Sequence, residues 1–97
     1  MHILVICDTA DLVEVPQSVV DNLELYRRRF LKWIYNDSVK HKYWVNDSKG
    51  NKYPCYRTDA FIEWLNKKVI SADEEPAVII AETVDADDYK HLPSACF

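Results

Sequence analysis

Glycine, paired cysteines and long apolar segments are scarce in this chain, and each scarcity excludes a class of protein. A single glycine, Gly50, cannot build the glycine-rich loop that cradles a phosphate group. Three widely separated cysteines, an odd number, indicate reduced thiols, so we expect a cytoplasmic protein. No apolar run approaches the roughly 20 residues that span a bilayer. The run at 3–7 is too short for a secretory signal, so we expect neither a signal peptide nor a membrane partner.

The histidines and cysteines also lack the spacing of metal ligands, so the sequence predicts no metal and no cofactor. What is present describes a hydrophobic core. The 97 residues are 48% hydrophobic and 12% aromatic, enough to fold without disulfides and too apolar for disorder. We expect a single α+β domain over residues 1–83. Residues 84–97, with three aspartates and no sustained period, are predicted to form an acidic, loosely ordered tail.

Charge is segregated along the chain, although the net charge is only −4. Residues 1–26 contain five acids and no lysine or arginine, and residues 70–97 contain seven acids and a single lysine. Between them, residues 27–69 contain eleven bases and four acids. The pattern predicts either opposite charges that meet across the fold or two surfaces of opposite sign.

Two unbroken apolar runs predict strands that are covered on both faces, at Ile3–Cys7 and Ala77–Ala81. The residues that follow the first run, 9–15, are polar and acidic and are predicted to form a connection, which can include a short extended piece at Leu12–Val15. Between the two runs, Val19–Ile34 places its apolar residues in one arc of a helix. Arg27 falls inside that arc, so it must reach solvent or pair with a carboxylate.

A second helix is predicted over Asp59–Ile70, with Thr58 as its N-cap. A hairpin precedes it. The runs Lys42–Asn46 and Asn51–Tyr56 are rich in Tyr, Trp and Val, and Asp47 and Gly50 between them suit a tight turn.

The resulting order of elements, βαββαβ, is that of a ferredoxin-like sandwich, with two helices on one face of a four-stranded, mainly antiparallel sheet. Pro54 conflicts with it, because proline cannot donate to the ladder of an interior strand. Either a bulge accommodates Pro54, or the hairpin projects as an arm and the sheet is built differently.

Residues 49–56 of the hairpin resemble the octapeptide of the RNA-recognition motif at Lys49, Gly50, Tyr53 and Tyr56, and depart from it at the other positions. The resemblance implies bases stacked on exposed rings. Basic residues interleaved with aromatics also suit single-stranded nucleic acid without any family. The predicted binding residues are Lys42, Tyr43, Trp44, Lys49, Lys52, Tyr53, Tyr56 and Arg57. The alternative is that these rings pair across the strands and cover the core.

A second resemblance concerns Ile3–Asp8, an apolar strand that ends in an acid and is followed by a helix with arginines at 27–29. It is similar to the ferredoxin-fold, metal-dependent nucleases of CRISPR adaptation. In that family the aspartate at the strand end faces its mate in a dimer, so only Asp8 carries over.

Of these alternatives, the sequence favours a non-catalytic protein that acts by binding. Acidic residues at 73–75 and 85–88 suit a protein partner, as in the compact inhibitors and adaptors that phages and mobile elements encode. Binding of single-stranded nucleic acid by the hairpin is the alternative, and a ferredoxin-fold nuclease is a further one. A homodimer is compatible with each.

Overall fold

The computed structural model describes all residues, 1–97, and shows an α+β domain. The domain contains six strands, three α-helices and one 3-10 turn. The strands are β1 (His2–Cys7), β2 (Thr9–Glu14), β3 (Trp44–Asn46), β4 (Lys52–Pro54), β5 (Val78–Ala81) and β6 (Ser94–Cys96). The helices are α1 (Gln17–Asp21), α2 (Leu23–Ile34) and α3 (Thr58–Lys68), and the 3-10 turn is Ala86–Tyr89.

The main sheet has the strand order β5-β2-β1-β6 and is mixed. β1 and β2 form an antiparallel hairpin whose turn residue, Asp8, has a φ of 67°, which aspartate tolerates better than most residues. β2 pairs antiparallel with β5, and the register shifts between Leu12 and Val13. β1 pairs parallel with β6.

The ferredoxin-like order and the mainly antiparallel sheet are therefore not what the structure contains. Residues 9–14, predicted to be a connection with at most a short extended piece at Leu12–Val15, form a six-residue strand of the main sheet. Asp11 of this strand is buried. Its burial is tolerated because the carboxylate accepts hydrogen bonds from the Thr58 hydroxyl and from the Thr83 N–H, the latter at 2.9 Å. β3 and β4 form a separate two-stranded sheet, which is the arm that Pro54 indicated.

The core lies between one face of the main sheet and the helices. Alternate residues of β1 and β2, among them Ile3, Val5 and Val13, pack in one cluster with apolar residues of α2 and α3. Phe30 of α2 is at its centre, with its ring centroid 5.4 Å from that of Phe61 in α3. Both predicted helices are confirmed, although the first is divided at Asn22 into α1 and α2.

Arg27 is held at the edge of this core. Its guanidinium forms a salt bridge of 2.8 Å with Glu24 and donates to the Cys96 carbonyl at 3.3 Å. The structure thus gives Arg27 a pairing role, in which it joins α2 to the C-terminal strand.

Residues 84–97, predicted to be a loosely ordered tail, instead contribute β6 to the main sheet. Ala95 is buried against the core, and the Phe97 ring lies 4.9 Å from that of Phe61. The sequence did not predict this strand, because it is only three residues long and follows an acidic stretch. No helix of the chain has both the length and the hydropathy needed to cross a membrane.

Candidate functional site

The hairpin β3–β4 is attached to the end of α2 through a ladder of aromatic rings. The His41 ring lies 4.9 Å from Trp33 and stacks on Trp44 at 4.7 Å with an interplanar angle of 11°. Its Nε2 bonds the Ile34 carbonyl at 2.8 Å, and its Nδ1 accepts the Tyr43 N–H at 3.1 Å. Since Nδ1 accepts, Nε2 is the ring nitrogen that donates, to the Ile34 carbonyl.

Trp44 is consequently already engaged within the protein. Besides the stacked imidazole, the Lys52 ammonium lies 4.5 Å from its ring centroid. The indole N–H donates to the Val39 carbonyl at 2.7 Å. A nucleic-acid base would have to displace one of these neighbours before it could stack on Trp44.

Tyr43 and Lys42 are directed to the same carboxylate, Glu63 of α3. The Tyr43 hydroxyl donates to Glu63 at 2.6 Å, the Lys42 ammonium lies 3.0 Å away, and Lys67 approaches the other oxygen at 2.7 Å. These three donors, Lys67 first, lower the pKa of Glu63 to about 2. Burial and then the bond to Glu63 raise the pKa of Tyr43. Lys42 is thus paired within the protein, although it shares this one carboxylate with Lys67.

Tyr56 and Arg57, at the end of the hairpin, are also occupied. The Tyr56 ring lies 5.4 Å from Phe30 in an edge-to-face contact, and burial raises the pKa of its hydroxyl. The Arg57 guanidinium donates to the Thr9 hydroxyl at 3.0 Å. Tyr56 therefore serves the core.

Four of the eight predicted binding residues, Lys49, Lys52, Tyr53 and Arg57, are exposed and have no carboxylate partner. Lys49 and Lys52 form no salt bridge, and the Tyr53 side chain is 46% exposed. Lys49 lies in the turn that Asp47 organises, where the Asp47 carboxylate accepts from the Lys49 and Asn51 N–H groups at 2.8 Å each. The parts of the hairpin open to a ligand are therefore its tip and, at its end, Arg57.

A second region, β5, has the opposite character. β5 lies at the edge of the main sheet and pairs only with β2, although its apolar run predicts a strand in the interior. Val78 is 43% exposed and Ile80 is 49% exposed, whereas Ile79 packs against the core. The strand is fixed to α3 by the Asn66 side chain, which accepts from the Ala77 N–H at 2.7 Å and donates to the Ala77 carbonyl at 3.0 Å.

Three adjoining cavities follow β5. A cavity of about 490 Å³ lies between β5 and α3, and it shares Asp59 and Ile79 with a cavity of about 380 Å³ at the start of α3. A third, of about 580 Å³, shares Val78 with the first. We call the three together the β5 groove.

Acidic side chains dominate the β5 groove. Its acids are Asp11, Glu14, Asp59, Glu63, Glu74, Glu75 and Glu82, and its basic side chains are Arg57 and Lys67. Of these acids only Glu63 forms a salt bridge. Glu74 is held by neutral donors, with a bond of 2.8 Å from the Ser18 hydroxyl, and this bond and that from Ser71 lower its pKa. The groove therefore has an uncompensated negative charge next to exposed aliphatic side chains.

The residues considered for catalysis are not assembled into a reactive group. Asp8 lies exposed in the β1–β2 turn, and no three His, Cys, Asp or Glu side chains lie where they could hold a metal ion. The Cys7 thiol donates to the Tyr56 carbonyl at 3.4 Å, and burial raises its pKa, so the thiolate is disfavoured.

The binding residues predicted from the sequence lie in the hairpin, and of these residues only Arg57 also lines the β5 groove. The signal was present in two parts, which are an apolar run at 77–81 and acids on both sides of it. The two parts were interpreted separately, the run as an interior strand and the acids as loops that suit a protein partner, because nothing local distinguishes an edge strand from a buried one.

A scan against protein-family models and searches of curated proteins and of solved structures found no match to the chain. Its function is therefore inferred from its own geometry.

Proposed function

We propose that the protein is a non-catalytic interaction module, of the inhibitor or adaptor kind, that binds a basic protein partner through the β5 groove. The observation that supports this is the exposed aliphatic pair Val78 and Ile80 on an edge strand within an acidic surface. A strand that is apolar, exposed and unpaired on one side is a liability unless a partner covers it.

The charge of the groove adds direction to this apolar contact. Acids that lack a local counter-ion attract a basic partner over about 8–10 Å at physiological salt and raise the rate of encounter. The aliphatic side chains then provide the short-range contact, because charge at an interface contributes more to association rate and specificity than to affinity. An acidic surface with an apolar centre thus favours a basic protein over a nucleic acid.

Selection from a displayed library of random 12-residue peptides tests the proposal without assuming how a ligand is shaped. The full chain is expected to enrich peptides with several Lys or Arg and with aliphatic residues, and their binding should weaken as salt increases. The variant Glu75→Lys/Glu82→Lys should lose these peptides, and the matched variant Lys49→Glu/Lys52→Glu should retain them. Enriched peptides that need the hairpin lysines, or no enrichment at all, would contradict the proposal.

A second candidate function, binding of single-stranded nucleic acid, is favoured by one observation, the unpaired Lys49 and Lys52 beside the exposed Tyr53. The expected affinity is modest, because one free ring offers about 1–3 kcal/mol of stacking and Trp44 is already covered. Titration of an oligonucleotide at low salt, followed by tryptophan fluorescence, tests it. A response that Lys49→Glu/Lys52→Glu abolishes would establish this function, and no response would remove it.

A further inference from the structure

We infer that the partner binds as an extended segment that adds a strand to the free edge of β5. This inference rests on the proposed function and specifies the conformation of the ligand. β5 is paired on one side only, so its other side presents backbone N–H and C=O groups without a partner strand. An extended peptide satisfies such groups directly, and its alternate side chains then determine specificity.

The surroundings on the two sides of β5 determine which side chains the added peptide strand should have. Val78 and Ile80 extend from the exposed side of the strand, where aliphatic residues of an added strand would lie beside them. The cavity of about 490 Å³ is lined by Val78 and, on the other side of the strand, by Ile79. Ile62 is also in its wall, and Asp59 lies where it meets the next cavity. A lysine or arginine fits there, with its methylene stem on the isoleucines and its charge at Asp59.

The ligand is therefore a short segment in which basic and aliphatic residues alternate. β5 has four residues, and the register shift opposite Leu12 and Val13 increases its twist. Such a strand supports only a few backbone hydrogen bonds. The remaining affinity comes from the acids at either end of the strand, Glu75 and Glu82.

A second copy of the chain fits this edge poorly. Antiparallel pairing of β5 with itself would bring Glu82 of each chain towards Glu74 and Glu75 of the other, where like charges repel. The basic hairpin of a second copy has strands of only three residues, and Pro54 in β4 lacks an N–H. A basic, extended segment of another protein avoids both problems.

The test uses the full chain and a nine-residue peptide, Lys-Val-Lys-Ile-Arg-Val-Lys-Ile-Lys, with two N-methylated versions. Each version is methylated on one alternate set of amides, so one version loses the N–H groups that face β5 and the other serves as its matched control. We expect one version to bind at least about tenfold more weakly than the parent, since two or three hydrogen bonds are lost. Slowed amide hydrogen exchange in residues 78–81 should accompany binding of the parent peptide.

Three outcomes would overturn the inference. If both methylated versions bind as well as the parent, the contact is made by charge alone. If the parent peptide fails to bind at low salt, no strand is added. If sedimentation shows a dimer of the free chain that Ile80→Asp dissolves, a second copy occupies the edge. The first outcome leaves the proposed function intact, and only the display selection, which assumes no ligand conformation, can remove it.

Discussion

The hairpin β3–β4 and the edge strand β5 have opposite relations to the rest of the fold. In the hairpin, residues with the chemistry of recognition are mostly used internally, since Lys42 and Tyr43 bond Glu63 and Tyr56 packs on Phe30. In β5, residues with the chemistry of a core are at the surface, as Val78 and Ile80 show. Residue type alone would assign the two regions the other way round.

The comparison shows that the chemistry of a side chain does not decide whether it can bind a ligand. The side chain must also be free of partners within the protein. A lysine whose ammonium lies 3.0 Å from a carboxylate, as that of Lys42 does, is already paired within the protein, whereas a half-exposed isoleucine still has apolar surface in contact with water. The surplus capacity of the molecule therefore lies at β5 and at the tip of the hairpin. Substitutions in each region should show whether its residues contribute to the free energy of unfolding.

The largest effect is expected from Phe30→Ala, which tests whether the hairpin end belongs to the core. Phe30 is fully buried and contacts five aromatic rings, among them Tyr56. Removal of the ring should lower the free energy of unfolding by about 3–5 kcal/mol. Denaturant unfolding followed by circular dichroism measures it. The control Tyr53→Ala, in the exposed part of the hairpin, should change stability by about 0.5 kcal/mol or less; a loss below about 1 kcal/mol for Phe30→Ala would contradict the packing described.

Asp11→Ala should have the next largest effect, because it tests a buried acid at the boundary of the β5 groove. The variant leaves the Thr58 hydroxyl and the Thr83 N–H without their acceptor. We expect a loss of about 1–3 kcal/mol in the free energy of unfolding, measured by denaturant unfolding at neutral pH. Glu82→Ala, an acid of the same cavity that forms no salt bridge, is the matched control. Equal losses in the two variants would mean that Asp11 is not structural.

Glu63→Gln tests the attachment of the hairpin to α3 through pH. The pKa of Glu63 is lowered from 4.5 to about 2 in the folded protein, so its charge stabilises the fold above pH 4.5 and this stabilisation is lost as the pH falls towards 2. Wild type should therefore exceed Glu63→Gln in stability at pH 7, by about 1 kcal/mol for a partly exposed ion pair. Unfolding of both proteins at several pH values measures the difference, which should narrow in acid. In the control Lys49→Gln, which removes an unpaired charge, no such narrowing is expected; a constant difference for Glu63→Gln would exclude the linkage.

How far the sequence predicted these features depends on how local their causes are. The helices were predicted because the period of residues 19–34 and 59–70 is contained within each segment. The turn at Gly50, with its φ of 81°, was predicted for the same reason. The full length of β2 and the strand β6 were not predicted. Asp11 in β2 is bonded by residues distant in sequence, Thr58 and Thr83, and β6 is held by pairing with β1.

The sequence did not predict the candidate site at β5 for a related reason. An unbroken apolar run predicts that both faces of a strand are covered, but the run at 77–81 is covered on one face, and the strand order that decides this is a property of the whole sheet. Likewise, nothing near Lys42 or Tyr43 in sequence indicates Glu63, which lies twenty residues further along for Tyr43. Pro54 was the exception, because its missing donor left two alternatives, a bulge or a projecting hairpin, and the structure has the second, with the hairpin apart from the main sheet.

The smallest effect on the free energy of unfolding is expected from Ile80→Thr. A small effect would support the proposal that a partner binds at the β5 groove, because Ile80 would then not be needed for stability. Because Ile80 is 49% exposed and its neighbour Ile79 makes the core contact, the change should alter the free energy of unfolding by no more than about 0.5 kcal/mol. Threonine keeps the β-branched shape that suits a strand, so the backbone of β5 is preserved. The control Ile79→Thr, which places a hydroxyl at the core, should cost clearly more in the same denaturant experiment. A loss above about 2 kcal/mol for Ile80→Thr would mean that the side chain is retained for stability, and the exposed pair on β5 would then no longer require a partner to explain it.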